Sequence, residues 1–227
     1  MSYRYKIAID INKDAWNWYG ACNSVGHGVD WKQRIDSDVA EKIHGKTESE
    51  AYEFLVPYLK QKYEDEAEMM ELGEDFIRKR FETHFLPACE KLIEITGKPL
   101  YRDDFTVYLT TFPRGPYNYE RGEFWLGVFW TNPIANFMHE TLHFQFIRFW
   151  RENKESAVSK LSDDKFEYLK ESLTIVLDES LVPLIEVSDK GYESHEEYRK
   201  KLHSFWTKNK NFDELVKYGV KILDKYC

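Results

Sequence analysis

The sequence predicts an α+β protein in which a small, mostly antiparallel sheet packs on one buried helix and a helical lobe follows. Three observations predict it. Residues 3–11 alternate as a half-buried strand does, with Tyr3, Tyr5, Ile7, Ile9 and Ile11 on one side and Arg4, Lys6, Ala8 and Asp10 on the other. DFTVYLTTF and EFWLGVFWT, separated by PRGPYNYERG, are dense in β-branched and aromatic residues around a Pro/Gly connection. Most of the remaining chain carries apolar residues at helical spacing.

Taken in order, the opening strand gives way to helix. Thr47 followed by Glu50 has the form of a capping box, and a helical pattern runs on through Phe54, Leu55, Tyr58 and Leu59 despite Pro57. A longer pattern uses Leu72, Phe76, Ile77, Phe81, Leu92 and Ile93 and stops at Gly97 and Pro99. The two strand segments come next, joined by a long hairpin connection. Asn132-Pro133, an N-cap residue and a proline in the first helical position, starts a helix expected to reach about Trp150. After the polar stretch RENKESAVSKLSDDK, a helix is expected from Phe166 to Leu181, closed by Pro183. GYESHEEYRKKLHSFW and FDELVKYGVKILDKYC read as two further amphipathic helices. The expectation is a single domain of 227 residues, with an N-terminal lobe to about residue 150 and a helical lobe from 151 to 227.

Composition narrows the partners. With 32 basic against 40 acidic residues the net charge is −8, and acidic residues crowd KYEDEAEMMELGED as a solvated helix face, so nucleic acid is not the expected partner. Cys22, Cys89 and Cys227 form no CxxC pair and read as reduced thiols. MSYRYKIAIDIN lacks the apolar stretch of a signal peptide, and no run of about 18 uncharged apolar residues occurs. A soluble, cytoplasmic protein with no membrane partner is expected.

The segment NFMHETLHFQF breaks the pattern of its own helix. Ile134, Phe137, Met138, Leu142, Phe144, Phe146 and Ile147 make that helix apolar nearly all round, yet Asn136, His139, Glu140 and His143 recur along one stripe. Buried imidazoles and a carboxylate are costly unless something satisfies them. Histidines one turn apart can both reach one tetrahedral zinc ion, and the glutamate beside the first points to the water completing the site.

HETLH, from His139 to His143, is the HExxH pentad, and on it the chain resembles the zincin superfamily of zinc metallopeptidases over roughly residues 120–182. Asn136 and Gln145 stand where apolar or β-branched residues are usual. Phe146 and Phe149 occupy the glycine and last histidine of the metzincin extension, which therefore fails. The resemblance is gluzincin-like, with a third ligand expected from a glutamate on a later helix. KFEYLKESLTIVLDESLVP carries a polar stripe of Glu167, Glu171, Thr174 and Asp178; Glu171 is the expected third ligand, with Glu179 as fallback. The aspartate that often follows four residues after that ligand is replaced by Ile175, leaving Asp178 or Glu167 to steady a zinc histidine.

What the resemblance implies is a zinc-activated water that attacks a peptide bond, with Glu140 as general base and a peptide or small protein as substrate. Tyr192, His195 and His203 are candidates to stabilise the oxyanion. GEFWLGVFW reads either as an edge strand that pairs with substrate or as core, and Tyr117 and Tyr119 as a loop over the cleft. His27, His44 and His84 read as surface or core residues. Two other functions fit parts of the pattern: a zincin-shaped binding or scaffold protein without activity, and a di-iron carboxylate protein using Glu140/His143 with Glu41/His44.

Overall fold

The computed structural model describes residues 3–26, 29–182 and 184–227, so His27 and Pro183 lie outside the described residues. The chain divides into two compact units, one made of 4–80 and 104–131, the other of 81–103 and 132–227 with Tyr3. The expected boundary near residue 150 falls inside the latter.

In the first unit, strand β1 (Arg4–Ile9) ends earlier than its alternation suggested. Asp10 stops it, because its carboxylate accepts the backbone N–H groups of Asn12 and Lys13 at 2.9 and 3.2 Å and so caps helix α1 (Ile11–Asn23). Ile11 thus belongs to a helix. A short antiparallel pair, β2 (Val25–Gly26) and β3 (Val29–Asp30), and helix α2 (Ser37–Ile43) follow. Helix α3 (Glu48–Asp65) opens on the expected capping box: the Thr47 hydroxyl accepts the Glu50 N–H, and the Glu50 carboxylate accepts the Thr47 N–H. Trp18, Leu55, Leu59 and Phe112 lie in this unit's core. Helix α4 (Ala67–Thr96) contributes to both units and stops where Gly97 turns left-handed at φ 65°.

Strands β4 (Asp104–Thr110), β5 (Tyr117–Asn118) and β6 (Glu123–Gly127) join β1 in one sheet of order β1-β4-β6-β5. The sheet is mixed, and the antiparallel expectation is corrected: β1/β4 and β4/β6 run parallel, and β5/β6 antiparallel. The connection from Thr111 to Gly122 is long enough to carry the chain back along the sheet, as a parallel crossover demands. Its turn chemistry was real but closes the hairpin between β5 and β6, and β6 slots between β4 and β5. β6 is consequently interior and no edge strand; the core reading of GEFWLGVFW holds for Phe124 and Trp125, which are buried, but not for Phe129, which is exposed.

The second unit is organised around helix α5 (Pro133–Phe146), which passes into a π turn over Ile147–Arg151 and so ends about where expected. It is buried because aromatic rings meet it from several directions. Phe81 and Phe85 of α4 pack on Phe137, with centroids 5.8 and 5.2 Å away. Tyr101 meets Phe144 edge-on at 5.3 Å. Phe166 of helix α6 (Asp163–Ser172) stacks on Phe146 at 5.6 Å. Helices α7 (Glu196–Asn209) and α8 (Phe212–Ile222) complete the unit, and Phe212 meets Trp150 at 5.1 Å. Gln145 has a structural task in this packing: fully buried, it accepts the Tyr101 N–H at 2.7 Å and donates to the Pro99 carbonyl at 2.8 Å, clamping that loop to α5.

The helix expected to reach Leu181 instead tightens into a 3-10 turn at Leu173–Val176. Arg199 causes this locally. Its guanidinium donates to the carbonyls of Glu171 and Ser172 at 3.0 and 3.4 Å, and the Thr174 hydroxyl donates to the Glu171 carbonyl at 2.7 Å. Side chains thereby supply donors that an α-helix would take from its next turn. Among the described residues no helix is long and apolar enough to cross a membrane.

Candidate metal centre

Helix α5 brings His139 and His143 to one face, and α6 delivers Glu171 one residue before its end. One nitrogen or oxygen from each of the three lies within 4.8 Å of the others. The two histidine Nε2 atoms are 2.8 Å apart. Glu171 Oε1 is 3.2 Å from His143 Nε2, and its Oε2 is 3.7 Å from His139 Nε2. Two imidazoles and a carboxylate converging in this way form a donor set that could hold a metal ion. Glu179 is exposed at the start of a separate 3-10 turn and stands outside this group.

The electrostatics agree with a site built to hold positive charge. Burial disfavours a charged His139, but the Asp189 carboxylate, 2.5 Å from its Nδ1, together with Glu171 and Glu140 outweighs burial and holds its pKa well above the ordinary histidine value. Burial pushes His143 down to about 4 against the pull of Glu171. Glu171 is held well below the usual carboxylate range, because the histidines and Lys170 overcome its burial. Burial pushes Glu140 up to about 7, with His139 opposing and Glu171 and Asp189 adding to the rise. Glu140 Oε2 is buried without a hydrogen-bond partner, a costly state for a carboxylate oxygen unless a ligand or water meets it.

Asp189 does what was expected of Asp178 or Glu167. It receives the His139 Nδ1–H through Oδ2, while Oδ1 takes the Gly191 N–H at 2.8 Å and Arg199 at 3.2 Å. Gly191 is required here: a Cβ would stand 2.6 Å from the Arg199 guanidinium carbon. Asp178 instead caps the turn at Ser180 and lies 3.7 Å from His203, and Glu167 holds Lys170 at 2.7 Å. Asp189 carries no sequence signal, since it sits in an irregular loop at no fixed offset from either histidine.

The three oxyanion candidates separate. The Tyr192 hydroxyl is pushed up by burial and then by the charges of Glu171 and Glu140, which places it in the field of the site. His195 is buried against Tyr168, with Nδ1 3.2 Å from the Ser172 hydroxyl, and His203 is half exposed beside Asp178. A recess of about 220 Å³ adjoins His139, lined by Ala135, Leu177, Ile185 and Val187 together with the polar Asn132, Asn136 and Asp189. Asn136, unusual for an HExxH helix, donates to the Asn132 carbonyl at 2.9 Å. Glu41 and His44, the second ExxH, are exposed at a seven-residue helix of the other unit. Compared with protein-family models, curated proteins and solved structures, the chain finds no match.

Proposed function

We propose that this protein is a zinc-dependent metallopeptidase. The observation that carries the reading is the convergence of His139, His143 and Glu171 beside a glutamate, Glu140, whose Oε2 is buried and unpartnered. His139, His143 and Glu171 would hold the ion, and three nitrogen and oxygen donors leave the open position a catalytic zinc needs. Bound there, zinc supplies Lewis acidity, activating a water and polarising the scissile carbonyl.

The chain's own residues do the rest. Glu140 Oε2 accepts the proton of the attacking water and returns it to the leaving amine; a pKa near neutrality suits both transfers. Asp189 fixes the His139 ring by holding Nδ1–H, which turns Nε2 toward the ion. Tyr192, whose hydroxyl feels the charges of Glu171 and Glu140, is the candidate donor to the developing oxyanion. The recess beside His139 takes a side chain of an extended peptide.

The test is metal content of the purified protein beside a His143→Ala control, by elemental mass spectrometry, followed by a peptide-library screen with wild type and Glu140→Gln. About one zinc per wild-type chain, little in the control, and cleavage abolished by Glu140→Gln with zinc retained are the expected results. No zinc uptake by the wild type overturns the reading. Zinc uptake without cleavage of any peptide leaves a zinc-holding binding protein in its place.

A further inference from the structure

Lys170 is among the least exposed charged side chains described, at 2%. Lysine is almost never buried to this degree without anionic partners, because its ammonium loses its hydration. Here Nζ lies 2.7 Å from Glu167 Oε2 and 3.3 Å from Oε1 of its chain neighbour Glu171. Lys170 therefore stands directly against a carboxylate assigned to the metal, where its charge competes with any cation.

That contact makes the two oxygens of Glu171 unequal. Oε1 is shared between the ammonium and His143 Nε2, whereas Oε2 faces His139 Nε2, at 3.7 Å. A carboxylate with one oxygen held by an ammonium offers a metal its other oxygen. One oxygen and two imidazole nitrogens suit a small ion that is content with four ligands. Larger, harder cations seek more oxygen donors and commonly take both oxygens of one carboxylate. Charge acts in the same direction. Glu140, Glu171 and Asp189 face two buried cations, Lys170 and Arg199, so losing Lys170 would leave the centre more anionic and more hospitable to hard cations.

We propose that Lys170 is a positioning residue that sets which metals this centre accepts: it occupies one oxygen of Glu171, enforces single-oxygen ligation, and so favours zinc-like ions over manganese-like ones. The proposal rests on the metallopeptidase reading of the same ligands.

The experiment uses the full chain, stripped of metal, and compares wild type with Lys170→Met, Lys170→Gln and Lys170→Arg. Zinc(II), cobalt(II) and manganese(II) affinities are measured by competition with chelators, the visible absorption of the cobalt form is recorded, and circular dichroism confirms the fold. Wild type should show an intense four-coordinate cobalt band and prefer zinc to manganese. Lys170→Met should narrow that preference by about tenfold or more and weaken the cobalt band as coordination number rises. Lys170→Gln, which keeps hydrogen-bonding capacity without charge, serves the same comparison if the methionine variant does not fold. Lys170→Arg should retain the wild-type preference. Unchanged selectivity and spectrum in both uncharged variants overturn the role of Lys170 while leaving the metal centre standing. Failure of the wild type to bind any of the three metals overturns the metallopeptidase reading and this inference with it.

Discussion

Replacing Asp189 tests the candidate centre without touching a ligand. Its Oδ2 holds His139 Nδ1 at 2.5 Å, a charge-assisted bond in a buried setting. Removing the partner of a metal-bound histidine typically costs ten- to a hundredfold in affinity. Asp189→Asn keeps an acceptor and loses the charge, so zinc should bind about tenfold more weakly, roughly 1.4 kcal/mol. Asp189→Ala should approach a hundredfold. It should also lose about 3 kcal/mol of stability, because the buried Arg199 loses its carboxylate. The effect has a signed pH dependence. Against the opposing influence of burial, Asp189 raises the pKa of His139, and the metal must displace that proton. Wild-type affinity therefore starts to fall at a higher pH than the variant's does, and the gap between them narrows as the solution is made more acidic. Competition titrations against a chromogenic chelator between about pH 6.5 and 8.5 measure both effects. Asparagine and alanine variants that both bind zinc within about twofold of wild type would refute the role of Asp189 in holding His139.

Three further outcomes are expected. Glu140→Gln should lower peptide turnover by about a hundred- to ten-thousandfold while zinc stoichiometry, read by elemental mass spectrometry, is unchanged. Asp14, fully buried beneath Thr110, Thr111 and Tyr63, has its pKa raised because burial outweighs those donors. Below about 3.8 it is protonated both folded and unfolded, and as pH rises the unfolded chain ionises first; its contribution thus erodes stability from there up to its folded pKa, and in urea denaturation the stability of Asp14→Asn relative to wild type should rise with pH across that window. A thiol-labelling time course on the native protein should modify Cys227 first, since Cys22 and Cys89 are buried and burial pushes the Cys89 thiol up to about 12; equal labelling of all three would contradict the packing.

Local signals carried far in this chain. The capping box at Thr47 and Glu50, the proline start of α5 and the left-handed Gly97 after α4 are each decided by a few neighbouring residues, and each was legible. The sheet was not. Strand existence follows from composition, but whether β4 and β6 run parallel depends on the path of the connection between them, which no spacing encodes. The break after Ser172 was hidden for a similar reason, because the donors that replace helical hydrogen bonds come from Arg199, well beyond it in the chain.

By itself the sequence determined that His139, Glu140 and His143 share one stretch of a buried helix, since helical geometry makes residues three and four apart neighbours wherever the helix lies. It also singled out Glu171, through the polar stripe on a later amphipathic helix. Only the tertiary structure decided that this carboxylate meets both imidazoles, and that Asp189 and not Asp178 or Glu167 steadies His139. Those contacts join residues distant in the chain, and their geometry follows from how helices and an irregular loop pack together, which local periodicity does not specify.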